Sequence, residues 1–287
     1  MTQDSIEPFS ERVHQIEPER QPGHWLLASL GKRVLRPGGL ELTRTMLAAL
    51  DVGPSDDVVE FAPGLGVTAR MTLAAAPHSY TAIEKDPIAA RNLCRWLTGG
   101  SRRCVDGSAE STGLPSESAT AVYGEAMLSM QTPEQKARIV GEAYRILRLH
   151  GRYAIHELCL TPDDIDPETR RTIQRDLSLA IHVGVQPLTG SEWRELLERL
   201  GFQVRVERRA PMHLLEPRRV IQDEGLLGAM RIAFNVVRRP AARDRVIRMR
   251  SLFRRYEDHL AAIALVAVKA PGTEDDYEKG NVRRRAE

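Results

Sequence analysis

The chain has 287 residues, 42% of them hydrophobic and 28% charged, with a formal net charge of +2. That length can bury one large core or two small ones, and the balance is ordinary for a soluble globular protein. No stretch approaches 18 apolar residues, which excludes a membrane-spanning helix; the polar start MTQDSIEPFSERVHQIEPER lacks an apolar signal core, and so small a net charge does not imply nucleic-acid binding. A cytoplasmic protein is the default expectation.

Residues 1 to about 22 carry three prolines and many charges and are expected to be mobile. An apolar spacing from Trp25 to Val34 predicts a short helix, broken at Arg36-Pro37-Gly38-Gly39. Leu42, Met46, Leu47 and Leu50 share one face of a second helix, Leu40–Leu50, and DVGPSDD then reads as a turn. From there strands and helices alternate. DVVEFA is a buried strand, Thr68–Ala76 a helix, SYTAIEK a strand, and Pro87–Leu97 a helix that starts after Asp86. RCVDG and TAVYGEA are further strands, Pro133–Leu147 a helix, and HGRYAIHEL a fifth strand. Such alternation argues for a parallel sheet covered on both faces. Ser191–Leu200 is a helix with Ser191 as N-cap, GFQVRVERR a half-buried strand, and LAAIALVAVKA the last strand. The long stretch between those two strands holds an apolar and basic helix over Ala242–Tyr256, and residues 271–287 read as a disordered tail.

The strand DVVEFA runs straight into a turn, Ala62-Pro63-Gly64-Leu65-Gly66, that leads into a helix. Small residues there let a ligand approach the backbone, and a helix N-terminus supplies unpaired N–H groups. Glu84 ends the next strand 18 residues after Gly66, where an acid can accept hydrogen bonds from both ribose hydroxyls of a nucleoside. Cys94, Cys104 and Cys159 form no C-x-x-C pair; reduced thiols are expected, with neither a zinc site nor a disulfide framework, and no metal is implied.

With these motifs the sequence resembles the class I S-adenosylmethionine-dependent methyltransferases, in particular the small-molecule branch that includes ubiquinone and menaquinone biosynthesis enzymes. Glu60 to Gly66 matches that family's first motif, with Ala62 in place of the first glycine. Glu84 matches the acid ending the second strand. Gly107-Ser108-Ala109, with Leu114-Pro115 downstream, matches a third signature in which Ser108 replaces the usual Asp. RILRLHGRYAIHE resembles the turn and fifth strand, and PLTGSEWRELLERLGFQV extends the likeness to about residue 206. The resemblance implies a Rossmann-like seven-stranded sheet with the last strand antiparallel. It also implies S-adenosylmethionine as cofactor, held along Glu60, Ala62, Gly64, Gly66, Glu84, Lys85, Ser108, Ala109 and Glu125. The acid Glu60 suits the cationic amino-acid end of such a cofactor and would repel a pyrophosphate.

The implied organisation is an N-terminal helical cap over residues 1–39, followed by a methyltransferase domain over 40–270. Lid insertions at about 157–190 and 211–259 would project beyond the strands' carboxyl ends, where open parallel sheets bind ligands. Glu125, His156 and Glu157, at the ends of the fourth and fifth strands, are the candidate catalytic residues, with His182 a weaker one. The expected reaction is methyl transfer to a small molecule, aromatic or otherwise apolar. Two alternatives stay open: methylation of RNA or protein through the Arg-rich helix, and a cofactor-binding module without activity. In that helix Val246, Met249, Phe253 and Tyr256 form an apolar stripe flanked by Arg245, Arg248, Arg250, Arg254 and Arg255. A homodimer is also left open.

Overall fold

Adjacent residues of a strand face opposite sides of its sheet. Val58 and Val59 are both buried because both sides of this sheet are covered. A computed structural model describes residues 21–271. The expectations for residues 1–20 and 272–287 lie outside the described residues.

The long strands are β1 (Asp57–Phe61), β2 (Ser79–Glu84), β3 (Arg102–Asp106), β4 (Ala119–Glu125), β5 (Leu147–Leu160), β7 (Phe202–Pro211) and β8 (Leu260–Lys269). They lie in the order β3-β2-β1-β4-β5-β8-β7, and the two-residue β6 (Leu188–Thr189) pairs with the end of β5. The pairs from β3 across to β5 are parallel, and β8 runs antiparallel to both β5 and β7. This is the expected seven-stranded α/β sheet with its last strand reversed, extended by one short strand.

The helices are α1 (Gly23–Ser29), α2 (Gly39–Leu50), α3 (Val67–Leu73), α4 (Pro87–Trp96), α5 (Pro133–Ile146), α6 (Pro167–Ile181), α7 (Gly190–Arg199), α8 (Pro217–Arg238) and α9 (Pro240–Arg255). Val59, Phe61, Val122 and Ile155 pack one sheet face against Ile139, Val140 and Ala143 of α5 and Trp193 and Leu197 of α7. Val58, Tyr80, Ala121 and Tyr123 pack the other against Leu42 and Met46 of α2 and Ala69 of α3. Burying side chains of this size contributes roughly 1.5–3 kcal/mol each, which makes these two clusters the main source of stability.

Two local expectations are corrected. The N-cap of α7 is Thr189, not Ser191: Thr189 and Glu192 form a capping box, which satisfies two backbone donors at once. Cys94 and Cys104 are bonded to each other, because α4 folds back over β3; Cys159 alone is a buried free thiol. Pro217–Arg238 is a further long helix outside the elements expected from the sequence, and Gly225 breaks it with φ 73°.

Candidate functional site

The strand order reverses between β1 and β4, which opens a crevice at their carboxyl ends. The turn after β1 enters it with three left-handed residues: Ala62 (φ 51°), Gly64 (φ 55°) and Gly66 (φ 69°). The two glycines serve different ends. A Cβ on Gly64 would meet only the Ala62 carbonyl, at 4.0 Å, so the backbone there faces open space. A Cβ on Gly66 would lie 2.6 Å from Trp96 and 2.9 Å from Leu93, so Gly66 lets α3 approach α4.

Glu84 links the first two turns. It accepts hydrogen bonds from Gly64 N and Asp86 N, each at 2.9 Å, through different carboxylate oxygens. Each oxygen keeps a lone pair for a further donor. Burial pushes the Glu84 carboxyl up, and the backbone donors of Asp86 and Gly64 oppose it. Beside it the ends of β2 and β3 bring Lys85, Ser108 and Ala109 to the same cavity wall, with Ser108 Oγ accepting from Glu110 N at 3.2 Å.

Glu60 lies near the end of β1. It is fully buried, and one carboxylate oxygen accepts hydrogen bonds from Tyr80 and, at 2.6 Å, from Tyr123. Burial raises its pKa to about 7, against those two hydroxyls. Glu60 nonetheless lines the cavity, with one carboxylate oxygen taken by the two tyrosines.

Glu125 and His156 form one buried network. Burial alone would raise the Glu125 carboxyl; the Arg36 guanidinium, His156 and Thr43 outweigh it and hold it at about 2. Its oxygens accept from Thr43 Oγ1 at 2.6 Å and from Thr68, and lie 3.3 Å from Arg36 Nε. His156 Nδ1 stands 2.8 Å from Glu125 Oε1, and Nε2 stands 2.6 Å from the Pro37 carbonyl. Both ring nitrogens thus face oxygen partners. Glu157 points to the opposite face, as strand alternation requires. It accepts from Met127 N (2.9 Å), Leu128 N (2.8 Å), Ser129 N (3.0 Å) and Ser129 Oγ (2.7 Å). Each of the three candidate catalytic residues is thus engaged by partners within the protein.

All these strand ends line one cavity of about 650 Å³. Its other wall is apolar: Leu177 and Ile181 of α6, Val185, Met212, and Met249 and Phe253 of α9. The two inserted segments therefore meet over the crevice. Helix α1 and the loop before α2, in the segment expected as an N-terminal cap, add His24, Trp25 and Arg36 to the wall. Burial lowers the His24 imidazole to about 4, with Asp86 opposing, so the ring is neutral near pH 7. His182 sits at the C-cap of α6 and is not part of the wall. The Arg-rich helix is less open than its sequence suggests. Arg245 is buried and donates to the Gln21 carbonyl at 2.8 Å, while Arg250 and Arg254 both grip Glu216. Among the described residues no group of three His, Cys, Asp or Glu side chains is arranged to hold a metal, and no helix is long and apolar enough to cross a membrane.

Comparison with known proteins agrees with this geometry. No protein-family profile matches the chain. An uncharacterized protein of Haemophilus influenzae is 30% identical over 252 residues, which is 86% of this chain and 98% of that one. Solved structures share the fold at much lower identity. The Haemonchus contortus phosphoethanolamine N-methyltransferase 2, in complex with phosphomonomethylethanolamine and S-adenosylhomocysteine, has a TM-score of 0.65 at 13% identity, covering 93% of this chain and 61% of that one. For geranyl diphosphate C-methyltransferase from Streptomyces coelicolor the values are 0.56 and 14%, over 80% and 78% of the two chains. The cyclase SpnF also shares the fold, at 0.61 and 15% over 94% of both. The chain thus has the α/β fold of class I methyltransferases, a fold that also carries at least one other named activity.

Proposed function

The chain belongs to the same family as the uncharacterized Haemophilus influenzae protein, and we propose that it transfers a methyl group from S-adenosylmethionine to a small apolar acceptor. One observation carries this reading: Gly64, Glu84 and Ser108 share a single cavity with an apolar lid wall. The polar end fits a nucleoside, since Gly64 leaves room at the backbone and Glu84 retains lone pairs for ribose hydroxyls. Ala62, Gly66 and Lys85 complete the surround of the turn, with Ala109 beside Ser108 toward the base. Glu60 lines the same cavity beside the turn, at the end meant for the cofactor's amino-acid group.

The sulfonium, when bound, supplies a methyl group for in-line displacement, and positioning furnishes much of the rate of such a step. Glu125, His156 and Glu157 are accordingly read as positioning residues. Glu125 joins β4 to Thr43 of α2 and Thr68 of α3, and His156 fixes the Pro37 carbonyl beside the cavity. Glu157 holds the loop 127–129 that borders the apolar end. Segments 157–190 and 211–259 act as the lid that selects the acceptor. With Arg245 buried and Arg250 and Arg254 paired to Glu216, an RNA or protein acceptor has less support.

Calorimetry with S-adenosylmethionine and S-adenosylhomocysteine tests the reading. Binding of both is expected, weakened at least tenfold in Glu84→Ala while the thermal midpoint stays within a few degrees. A folded wild-type chain that binds neither would refute it. Release of S-adenosylhomocysteine from an apolar extract, and not from RNA, would identify the acceptor class.

A further inference from the structure

Beyond the break at Gly225, α8 carries Leu226, Met230, Phe234 and Val237 at spacings of four, four and three residues, with Leu227 beside them. That spacing puts them on one side of a helix. They are 62%, 51%, 57%, 69% and 79% exposed, in that order, so nothing among the described residues covers them. Together they expose on the order of 500 Å² of apolar surface, at the upper end of what a free monomer shows. The opposite side of the helix is fixed. Asn235 donates to the Leu30 carbonyl at 3.0 Å, Val236 packs into the cluster of Leu26, Leu30 and Met249, and Arg239 donates to the Ser29 carbonyl at 3.3 Å. The stripe is thus held outward by a helix that is itself anchored.

Charge selects what can cover it. Arg231 and Arg238 are exposed along one edge of the stripe, and Arg238 lies over the Phe234 ring. Arg231 to Arg239 holds three arginines and no acid. A second copy of the same face would set guanidinium against guanidinium with no carboxylate to answer it. A nucleic acid would pair with the arginines but offers nothing to five exposed aliphatic and aromatic side chains. An anionic bilayer meets both requirements, taking the apolar stripe between its acyl chains and the arginines among its headgroups.

We propose that the α8 stripe docks the protein on the surface of anionic membranes. The protein lies on such a bilayer and does not span it. The same helical hairpin turns Met249 and Phe253 inward to the apolar cavity wall, so one element faces lipid and acceptor site. Lipid binding follows from the surface whatever reaction the cavity supports.

Flotation of the full chain with vesicles of phosphatidylcholine, with and without phosphatidylglycerol, tests it. The wild type is expected to float only with the phosphatidylglycerol vesicles, and less so at high salt. Removing both Arg231 and Arg238 as glutamines should lower the partition roughly 30-fold, from about 1 kcal/mol per basic residue at such a surface. Leu227→Asp with Phe234→Asp should abolish flotation, with circular dichroism and thermal midpoint unchanged because both side chains are exposed. Failure of the folded wild type to float overturns the proposal. So does equal flotation by the stripe variants, or sedimentation showing a dimer that Leu227→Asp dissociates in place of lipid binding.

Discussion

Glu60 offers a test of how the buried polar centre is built. Its carboxyl is surrounded by protein, and burial raises its pKa from 4.5 to about 7 despite hydroxyls donated by Tyr123 and Tyr80. A raised folded-state pKa means that folding favours the protonated acid. The stabilisation is complete below pH 4.5, where both states hold the proton, and is lost as pH rises through 7. The full shift corresponds to about 3 kcal/mol, of which about 2.5 kcal/mol falls between pH 5 and pH 8. Glu60→Gln keeps an acceptor oxygen for the tyrosines and does not titrate. Any cost of its amide N–H₂ group is the same at each pH. Urea unfolding of both proteins at pH 5, 6, 7 and 8 should therefore give a stability difference that moves by about 2.5 kcal/mol in favour of glutamine. Other carboxyls raised by burial, Glu84 and Glu157, cancel in that difference. A difference constant within about 0.5 kcal/mol would refute it, and would mean that Glu60 is ionised at neutral pH and sustained by its tyrosines.

The two turn glycines should separate binding from stability. Gly64→Ala should cost about 1 kcal/mol of strain and weaken S-adenosylmethionine binding more than tenfold by calorimetry. Gly66→Ala should cost about 2–4 kcal/mol in urea unfolding, because its Cβ meets Trp96 and Leu93 as well as the left-handed backbone. Ala62→Gly should be nearly neutral in thermal denaturation, gaining up to about 1 kcal/mol, since relief at φ 51° is partly offset by the freer unfolded chain. A loss beyond 1 kcal/mol would show that the methyl group packs favourably. Glu157→Gln would turn an N–H₂ group toward backbone N–H donors and should cost about 2–4 kcal/mol, measured by urea unfolding. An unchanged midpoint would remove Glu157 as the holder of the 127–129 loop.

What the chain declares through local pattern is the alternation of strand and helix, the glycine-bearing turn at 62–66 and the acid at Glu84. Each depends on periodicity, or on residues a few positions apart, and so survives without knowledge of packing. The seven-stranded sheet with a reversed last strand followed from the family likeness these motifs carry. What packing decided is of another kind. His156 looks like a base in sequence, but the Pro37 carbonyl, 119 residues away, and Glu125 take both its nitrogens. Glu60 looks like an open acid until Tyr80 and Tyr123 close over it. Cys94 and Cys104 look isolated until α4 lies on β3, and Arg250 and Arg254 look solvated until Glu216 comes between them. Charge state, partner and exposure depend on groups distant along the chain, and only the folded molecule brings those groups together.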